Sequence, residues 1–397
     1  MNRNIPLATV IFSLNLAWFW LGIWVPYYLL FTNYAGIGII ETIVVLTAVI
    51  LELPTGALAD MIGKKRTLLL VFLFSTIGSV VMAMATSFLH LLFSVLLLSI
   101  ATSLYSGTRD AFLYDTLLTL KRESEYEKVL ASIQKYGLIS MAAASAIGGW
   151  MYTISPSLPF WAVSIVFACC GILCFWLVEP PLDTQTFTIR NYLSQMRYGL
   201  LQLLAQKNQI GWLLQLLVIG SLAKFLIEGL DPTLALGFGL QDAQLGYLYA
   251  VIPLVSAAGA YWYEKQARKK SREFWWRLVV AALIIGPVLS PVIGLSIGLG
   301  FLLLRNIFYP ILETMTSSTI NSFVESKYRA TTLSAYNLVV TLPYVLGAAA
   351  VGYLIDIFET RAVAAGLALI FAYIFVIIVI TWGKPTKNIV EKERENI

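Results

Sequence analysis

Leu51-Glu52-Leu53-Pro54-Thr55-Gly56-Ala57-Leu58-Ala59-Asp60-Met61-Ile62-Gly63-Lys64-Lys65-Arg66-Thr67 joins two long apolar runs. One carboxylate, Asp60, precedes the turn, and three consecutive cations, Lys64, Lys65 and Arg66, follow it. Gly56 carries no side chain and allows a neighbouring helix to come close. Gly63 permits a tight turn with positive φ. Apolar run, short cationic turn and apolar run together read as two membrane helices meeting on the face where cations collect.

Working outward, the rest of the chain has the same character. Of 397 residues, 59% are hydrophobic and 12% charged, with a mean hydropathy of +0.79. A soluble domain carries about 25% charged residues, so this composition calls for lipid as solvent. Runs such as Leu91–Ala101 do not alternate in polarity, which argues against an outer-membrane barrel. The sequence therefore predicts an all-α polytopic membrane protein. The net charge of +5 has no aqueous basic face to act from, so no nucleic-acid partner is expected. Cys169, Cys170 and Cys174 share one apolar run and read as small packing residues. The first apolar run continues without a small-residue cleavage site and reads as a retained helix.

Twelve spans are expected, at about 6–31, 36–60, 67–87, 89–118, 129–153, 159–178, 209–236, 243–263, 273–289, 291–318, 329–355 and 361–382. They form two bundles of six, 1–178 and 209–384. A linker, 179–208, separates them, and a tail, 385–397, follows. In the linker Ile189, Tyr192, Leu193, Met196, Leu200, Leu203 and Leu204 fall on one helical face, as in an interfacial helix. With the N-terminus inside, nearly all loop cations fall on one side and Arg361 stands almost alone on the other. Both termini are therefore expected to be cytoplasmic, in the plasma (inner) membrane. The halves echo each other weakly: Ala131-Ser132 before Gly148-Gly149, then Ala330 and Ser334 before Gly347 and Gly352. Repeated six-helix units are a transporter architecture.

The stretch Gly56-x-Leu58-Ala59-Asp60-x-x-Gly63-Lys64-Lys65 resembles the helix 2–3 loop signature of the major facilitator superfamily, G-x-L-x-D-x-x-G-[RK]-[RK]. The resemblance implies two pseudo-symmetric six-helix bundles with a solute path between them. It also implies a gating network of Gly56, Asp60, Gly63, Lys64, Arg66 and, at the end of helix 4, Asp115, which latches the outward-open state. Arg109 is the candidate for the helix 4 arginine linked to proton coupling in that superfamily. Drug/proton antiporters of the superfamily carry GxxxGPxxGG in helix 5. Here the register holds Ser140, Ala144, Ser145, Gly148 and Gly149, which keeps the small residues and loses Gly-Pro.

Charges inside spans are costly unless paired or hydrated, so each is a candidate for function. On helices 2 and 4, Glu52, Arg109 and Asp110 lie at similar depth, and a Glu52–Arg109 pair is expected. On helix 7, Lys224 and Glu228 are an i,i+4 pair, and Asp231 adjoins Gly229 and Pro232. On helix 10, Arg305 reads as an isolated charge facing a cavity or substrate, with Glu313 two turns below. Asn15, Tyr114 and Asn337 are candidates for lining the path. The aromatics of helix 1 (Trp18, Trp20, Trp24, Tyr27, Tyr28) are expected to face lipid for the most part. Trp275 and Trp276 read as an interfacial belt.

The expected function is secondary transport by alternating access, with proton-coupled efflux of a small amphipathic solute or drug. Uptake by symport is the alternative, and a lipid flippase or transporter-like sensor is the alternative from another class. No catalytic constellation, metal-ligand spacing or phosphate-binding loop is present, and His90 is the only histidine. No enzyme activity, cofactor or metal is expected. The partners expected are the solute, protons and the bilayer, around a monomer.

Overall fold

The computed structural model describes residues 1–181, 194, 197, 201, 210–267, 269–324 and 329–382; the side chains at 49, 52–60, 323, 330 and 331 lie outside the description. The helices are α1 (Asn4–Leu14), α2 (Trp24–Tyr28), α3 (Tyr34–Ile62), α4 (Lys64–Ala83), α5 (Phe88–Thr119), α6 (Tyr126–Ile154) and α7 (Leu158–Cys174). After the linker come α8 (Ile210–Lys224), α9 (Asp231–Gly237), α10 (Gln244–Gln266), α11 (Arg272–Leu289), α12 (Leu295–Phe323), α13 (Arg329–Phe358) and α14 (Thr360–Trp382). Counting α1 with α2 as one crossing, and α8 with α9 as another, gives twelve spans. The predicted linker helix falls almost entirely outside the described residues.

The chain packs as two units: residues 1–187 with 241–254, and residues 188–240 with 255–397. In the first unit α4 packs along α5 and α7, α3 along α5, and α1 along α6. Its core is a cluster of Ile11, Phe12, Leu68, Phe72, Phe112, Leu113, Val163 and Cys170, all buried. Lipid tails are as apolar as these side chains, so close packing rather than exclusion of water holds the cluster. Cys170 and Cys174 are fully buried within it as small packing groups, and both are free thiols.

The first predicted span is not one helix. α1 stops at Leu14, and irregular turns run to Ile23 before α2. Such backbone survives at membrane depth only when its polar groups are satisfied by protein. Here short-range bonds do so, such as Ala17 N–H to Leu14 O at 2.9 Å and Ile23 N–H to Trp20 O at 3.0 Å. The break lets Gly22 press against α10, where an added Cβ would lie 2.6 Å from Leu245 O. The helix 5 small residues complete this contact. Gly148 faces the Phe19 carbonyl, Gly149 and Gly246 meet backbone to backbone, and Ser145 Oγ donates to Gly246 O at 3.0 Å. This is why the start of α10 belongs with the first unit. Most helix 1 aromatics are consequently buried rather than lipid-facing: Trp24, Tyr27 and Tyr28 are inside, and Tyr27 Oη donates to Met82 O at 2.5 Å. Trp18 and Trp20 are half-buried and stacked at 5.6 Å.

In the second unit α8 packs on α13 and α14, and α11 on α12 and α14. The seventh span, α8 with α9, changes form midway. A π-turn over Phe225–Leu230 precedes Asp231-Pro232, where proline removes a backbone donor. Pro310 in α12 likewise frees the Asn306 carbonyl four residues earlier, and Ser256 Oγ of α10 donates to it at 2.9 Å. Arg361 donates to the carbonyls of Ser290 at 2.7 Å, Pro291 at 2.8 Å and Ile293 at 2.9 Å, tying the start of α14 to the turn after α11. Trp275 and Trp276 are 1% and 6% exposed. They are core residues packed on Trp262, Tyr263 and Trp212 rather than an interfacial belt.

Large apolar side chains cover the outside, among them Ile50, Leu89, Trp150, Ile165, Leu346, Tyr373 and Ile380. A surface of this kind is stable only in lipid. Eight helices among the described residues are long and apolar enough to cross a membrane, and three further apolar segments are shorter. The chain is an integral multi-pass membrane protein.

Candidate functional site

The turn after α3 is built from backbone upward. Gly63 takes φ 97°, a conformation that costs glycine little. This starts α4 at Lys64, with its first N–H groups unpaired by the helix itself. Glu179, beyond the end of α7, accepts from them: Lys64 N–H at 2.7 Å and Lys65 N–H at 3.0 Å. A carboxylate there meets both the orphan donors and the positive end of the helix dipole. A Cβ on Gly63 would lie 2.8 Å from Glu179 Oε2, so the glycine also makes room for the cap. Lys64 is buried at 4% exposure and its Nζ forms an ion pair with Asp115 of α5. Lys65 Nζ donates to Phe175 O at 2.8 Å, while Arg66 is exposed.

Asn4 closes the same end of the unit. It is fully buried, donates to Val178 O at 2.8 Å and Thr116 Oγ1 at 3.3 Å, and accepts from Val178 N–H at 2.9 Å. One side chain thus ties α1, α5 and the chain after α7. Glu179 and Asn4 were not among the residues expected from sequence. The available signals were an acidic residue closing an apolar run before Pro180-Pro181, and an asparagine opening the first helix. Glu52, Gly56 and Asp60 lie on the backbone of α3, and the side chains of Glu52 and Asp60 fall outside the described set.

Deeper in α5, Arg109 forks onto its neighbour Asp110, Nε at 2.7 Å and Nη2 at 3.1 Å. Its guanidinium also lies 5.7 Å from the Tyr105 ring centre. The pair is partly open, with side chains 27% and 46% exposed. The described partner of Arg109 is therefore Asp110. Tyr114 is exposed and meets Tyr126 edge-on at 5.7 Å. Asn15 ends α1 and is half-buried. Outside the spans, Arg122 forks onto Glu125 at 2.6 and 2.7 Å, which holds its guanidinium above the ordinary range.

In the second unit two charge centres differ in kind. Asp231 and Arg305 form an ion pair with both side chains 2% exposed. Asn306 Nδ2 adds a bond to Asp231 Oδ2 at 2.9 Å and another to Leu302 O at 3.0 Å. Arg305 is thus not isolated, because Asp231, beside the π-turn and Pro232, reaches it from another helix; it also borders a small cavity with Leu234, Phe238 and Phe301. The other centre is open. Lys224 Nζ meets Glu228 Oε1 at 2.5 Å, with Glu228 39% exposed. Glu313 is exposed one helical turn after Tyr309 on α12. Asn337 is exposed on α13.

Apolar spans, irregular breaks satisfied by protein, and a few placed intramembrane charges define a helical membrane transporter. The family model described as Major Facilitator Superfamily matches residues 7–348. The chain belongs to that superfamily and is a secondary transporter. An uncharacterized MFS-type transporter of Bacillus subtilis (strain 168), YxaM, is 20% identical over 380 residues, covering 91% of this chain and 90% of that protein. Among solved structures, the nucleoside transporter NupG aligns with a TM-score of 0.75 at 13% identity, over 95% of this chain and 99% of that one. A bacterial homolog to the human lysosomal transporter Spinster, inward-facing and occupied, aligns at 0.71 and 14% identity, over 96% and 97%. At such identities the likeness to the two structures establishes the fold.

Proposed function

We propose that this transporter exports a small amphipathic solute in exchange for protons. The supporting observation is a pair of partly open acidic centres on otherwise apolar spans: Asp110 beside Arg109, and Glu228 beside Lys224. A carboxylate beside a cation stays ionised, and one whose cation is drawn away in a low-dielectric site takes up a proton. Solute that places a cationic or donor group on Asp110 or Glu228 competes with the proton for that carboxylate, so the two exchange. Asp231–Arg305, buried on both sides, is assigned to holding α9 and α12 together. Lys64 and Asp115, with Asp60, are assigned to the latch that favours the outward-open form. Nearly all loop cations lie on one side of the twelve spans, and this bias supports cytoplasmic termini.

The test is flux in proteoliposomes with an imposed proton gradient and a panel of dyes, nucleosides and other metabolites. The fold likeness to a nucleoside transporter puts nucleosides on that panel. Asp110→Asn, Glu228→Gln and Glu313→Gln are expected to uncouple flux from the gradient, with at least one of them costing tenfold or more. Gradient-independent flux in the wild type, or wild-type coupling in all three variants, overturns the proposal. Accumulation with the gradient rather than against it assigns uptake by symport instead.

A further inference from the structure

A cleft between α10 and α12 is lined by no residue of either charge centre. It has a volume of about 370 Å³ and is lined by Val255, Ala258, Gly259, Trp262, Leu304 and Phe308. Its origin is local. Gly259 sits against the Ile307 carbonyl, where a Cβ would collide, and Ser256 donates to Asn306 O, so the two helices touch closely at one place. Beside that crossing the side chains do not fill the space, and Leu304 and Trp262 are exposed, 38% and 42%. No side chain in the lining carries a charge to orient a polar solute.

The same face of α10 changes character one turn further on. Ala258 and Trp262 are followed at helical spacing by Lys265, whose Nζ stands 4.3 Å from the Tyr261 ring centre. Lys269 and Lys270 are exposed beyond it. Between positions 264 and 277 six cations stand against two carboxylates, Glu264 and Glu273, and Arg277 holds the second at 3.6 Å. Trp262 lies at the junction, edge-on to Trp275 at 4.8 Å and to Phe308 at 6.1 Å. An apolar cleft, then a tryptophan, then a cation cluster reproduces the order acyl chain, interface, anionic headgroup.

We propose that this cleft binds one acyl chain of an anionic phospholipid, with the headgroup on Lys265 and Lys269. The site is independent of the transport assignment, because it uses none of the proposed coupling residues. Binding there fills a gap between α10 and α12 that protein side chains leave open. Neutral phospholipids fit the cleft but lack the headgroup contact.

Native mass spectrometry of the full-length protein in detergent tests this. The titrants are palmitoyl-oleoyl phosphatidylglycerol and phosphatidylcholine with the same chains. The wild type is expected to retain one phosphatidylglycerol at least tenfold more readily than phosphatidylcholine. Ala258→Trp fills the cleft and should abolish that adduct, and Leu304→Trp, from the opposite wall, should do the same if the first variant is poorly folded. Lys265→Gln and Lys269→Gln should each lower retention of phosphatidylglycerol about fivefold, the change expected for one cation near a lipid surface, and leave phosphatidylcholine unchanged. Equal retention of the two lipids by the wild type overturns the proposal. Loss in the lysine variants with undiminished binding in both tryptophan variants overturns it too, since the headgroup then binds without the cleft.

Discussion

Asp231→Asn isolates the energetics of the buried pair. Arg305 is 2% exposed and Asp231 is its only described ionic partner. Its Nε has no acceptor among the described residues, so little else stabilises its charge. Removing the carboxylate leaves a buried, uncompensated guanidinium, a change that costs about 3–5 kcal/mol in comparable buried pairs. Arg305→Met alone should cost a similar amount, eased by the bond from Asn306 that Asp231 keeps at 2.9 Å. The double variant Asp231→Leu with Arg305→Met removes both charges and the unsatisfied Nε. It leaves one Asn306 N–H without its acceptor, a loss of about 1–3 kcal/mol, while the bond to Leu302 O survives. The double variant should therefore be more stable than either single variant, with a coupling of at least about 2 kcal/mol. Thermal unfolding of the purified protein in detergent, followed by tryptophan fluorescence, measures this. Single variants that melt with the wild type refute the buried-pair reasoning. So does a double variant whose loss equals the sum of the two.

Two further outcomes follow from glycine and cap geometry. Gly246→Val places a side chain where an added Cβ would lie 2.5 Å from the Gly149 Cα, backbone against backbone, whereas one at Gly300 would have nothing within 4 Å. Gly246→Val should lower the melting temperature sharply and reduce flux, while Gly300→Ala should be neutral or stabilise by about 0.5–1 kcal/mol; equal behaviour of the two would show that the α6–α10 contact is loose. Glu179→Ala removes the acceptor for two helix-start N–H groups and should cost about 0.5–2 kcal/mol, read as faster amide exchange at Lys64 and Lys65 than at Val71; unchanged exchange there would mean that the cap is idle.

What the sequence revealed and what it hid divide along a physical line. Span positions were legible because lipid requires long apolar runs whose backbone is satisfied locally, and α4, α5, α6 and α14 begin and end within a few residues of the hydropathy reading. The closeness of Lys64 to Asp115 was approached through a motif. Hydropathy alone says nothing about which helix 4 carboxylate lies at the depth of the helix 2–3 turn. The break after Leu14 was hidden because Ala17-Trp18-Phe19-Trp20-Leu21-Gly22 is as apolar as a helix. It is irregular because Gly22 and Gly148 let the backbone of this segment meet α10 and α6, which is a fact of packing. The partner of Arg305 was hidden for a related reason. Asp231 and Arg305 are 74 positions apart, and only the π-turn ahead of Pro232 turns the carboxylate toward α12.

These cases share a cause. In lipid, burial no longer separates apolar from polar, so the hydrophobic pattern that locates a core in water locates only the spans here. Contacts between spans are set by residues the pattern treats as neutral: glycines that admit a neighbouring backbone, prolines that free a carbonyl, and single polar side chains that find it. Ser256 on the Asn306 carbonyl freed by Pro310 is the clearest instance, since each residue is ordinary alone and the bond exists only because both are present. The same contact holds α10 to α12 at one place and leaves the cleft beside it unfilled. The proposed lipid site is therefore a consequence of the polar rule and not of any apolar sequence signal. A search for it by hydropathy would find nothing between Val255 and Trp262 that distinguishes this helix from the others.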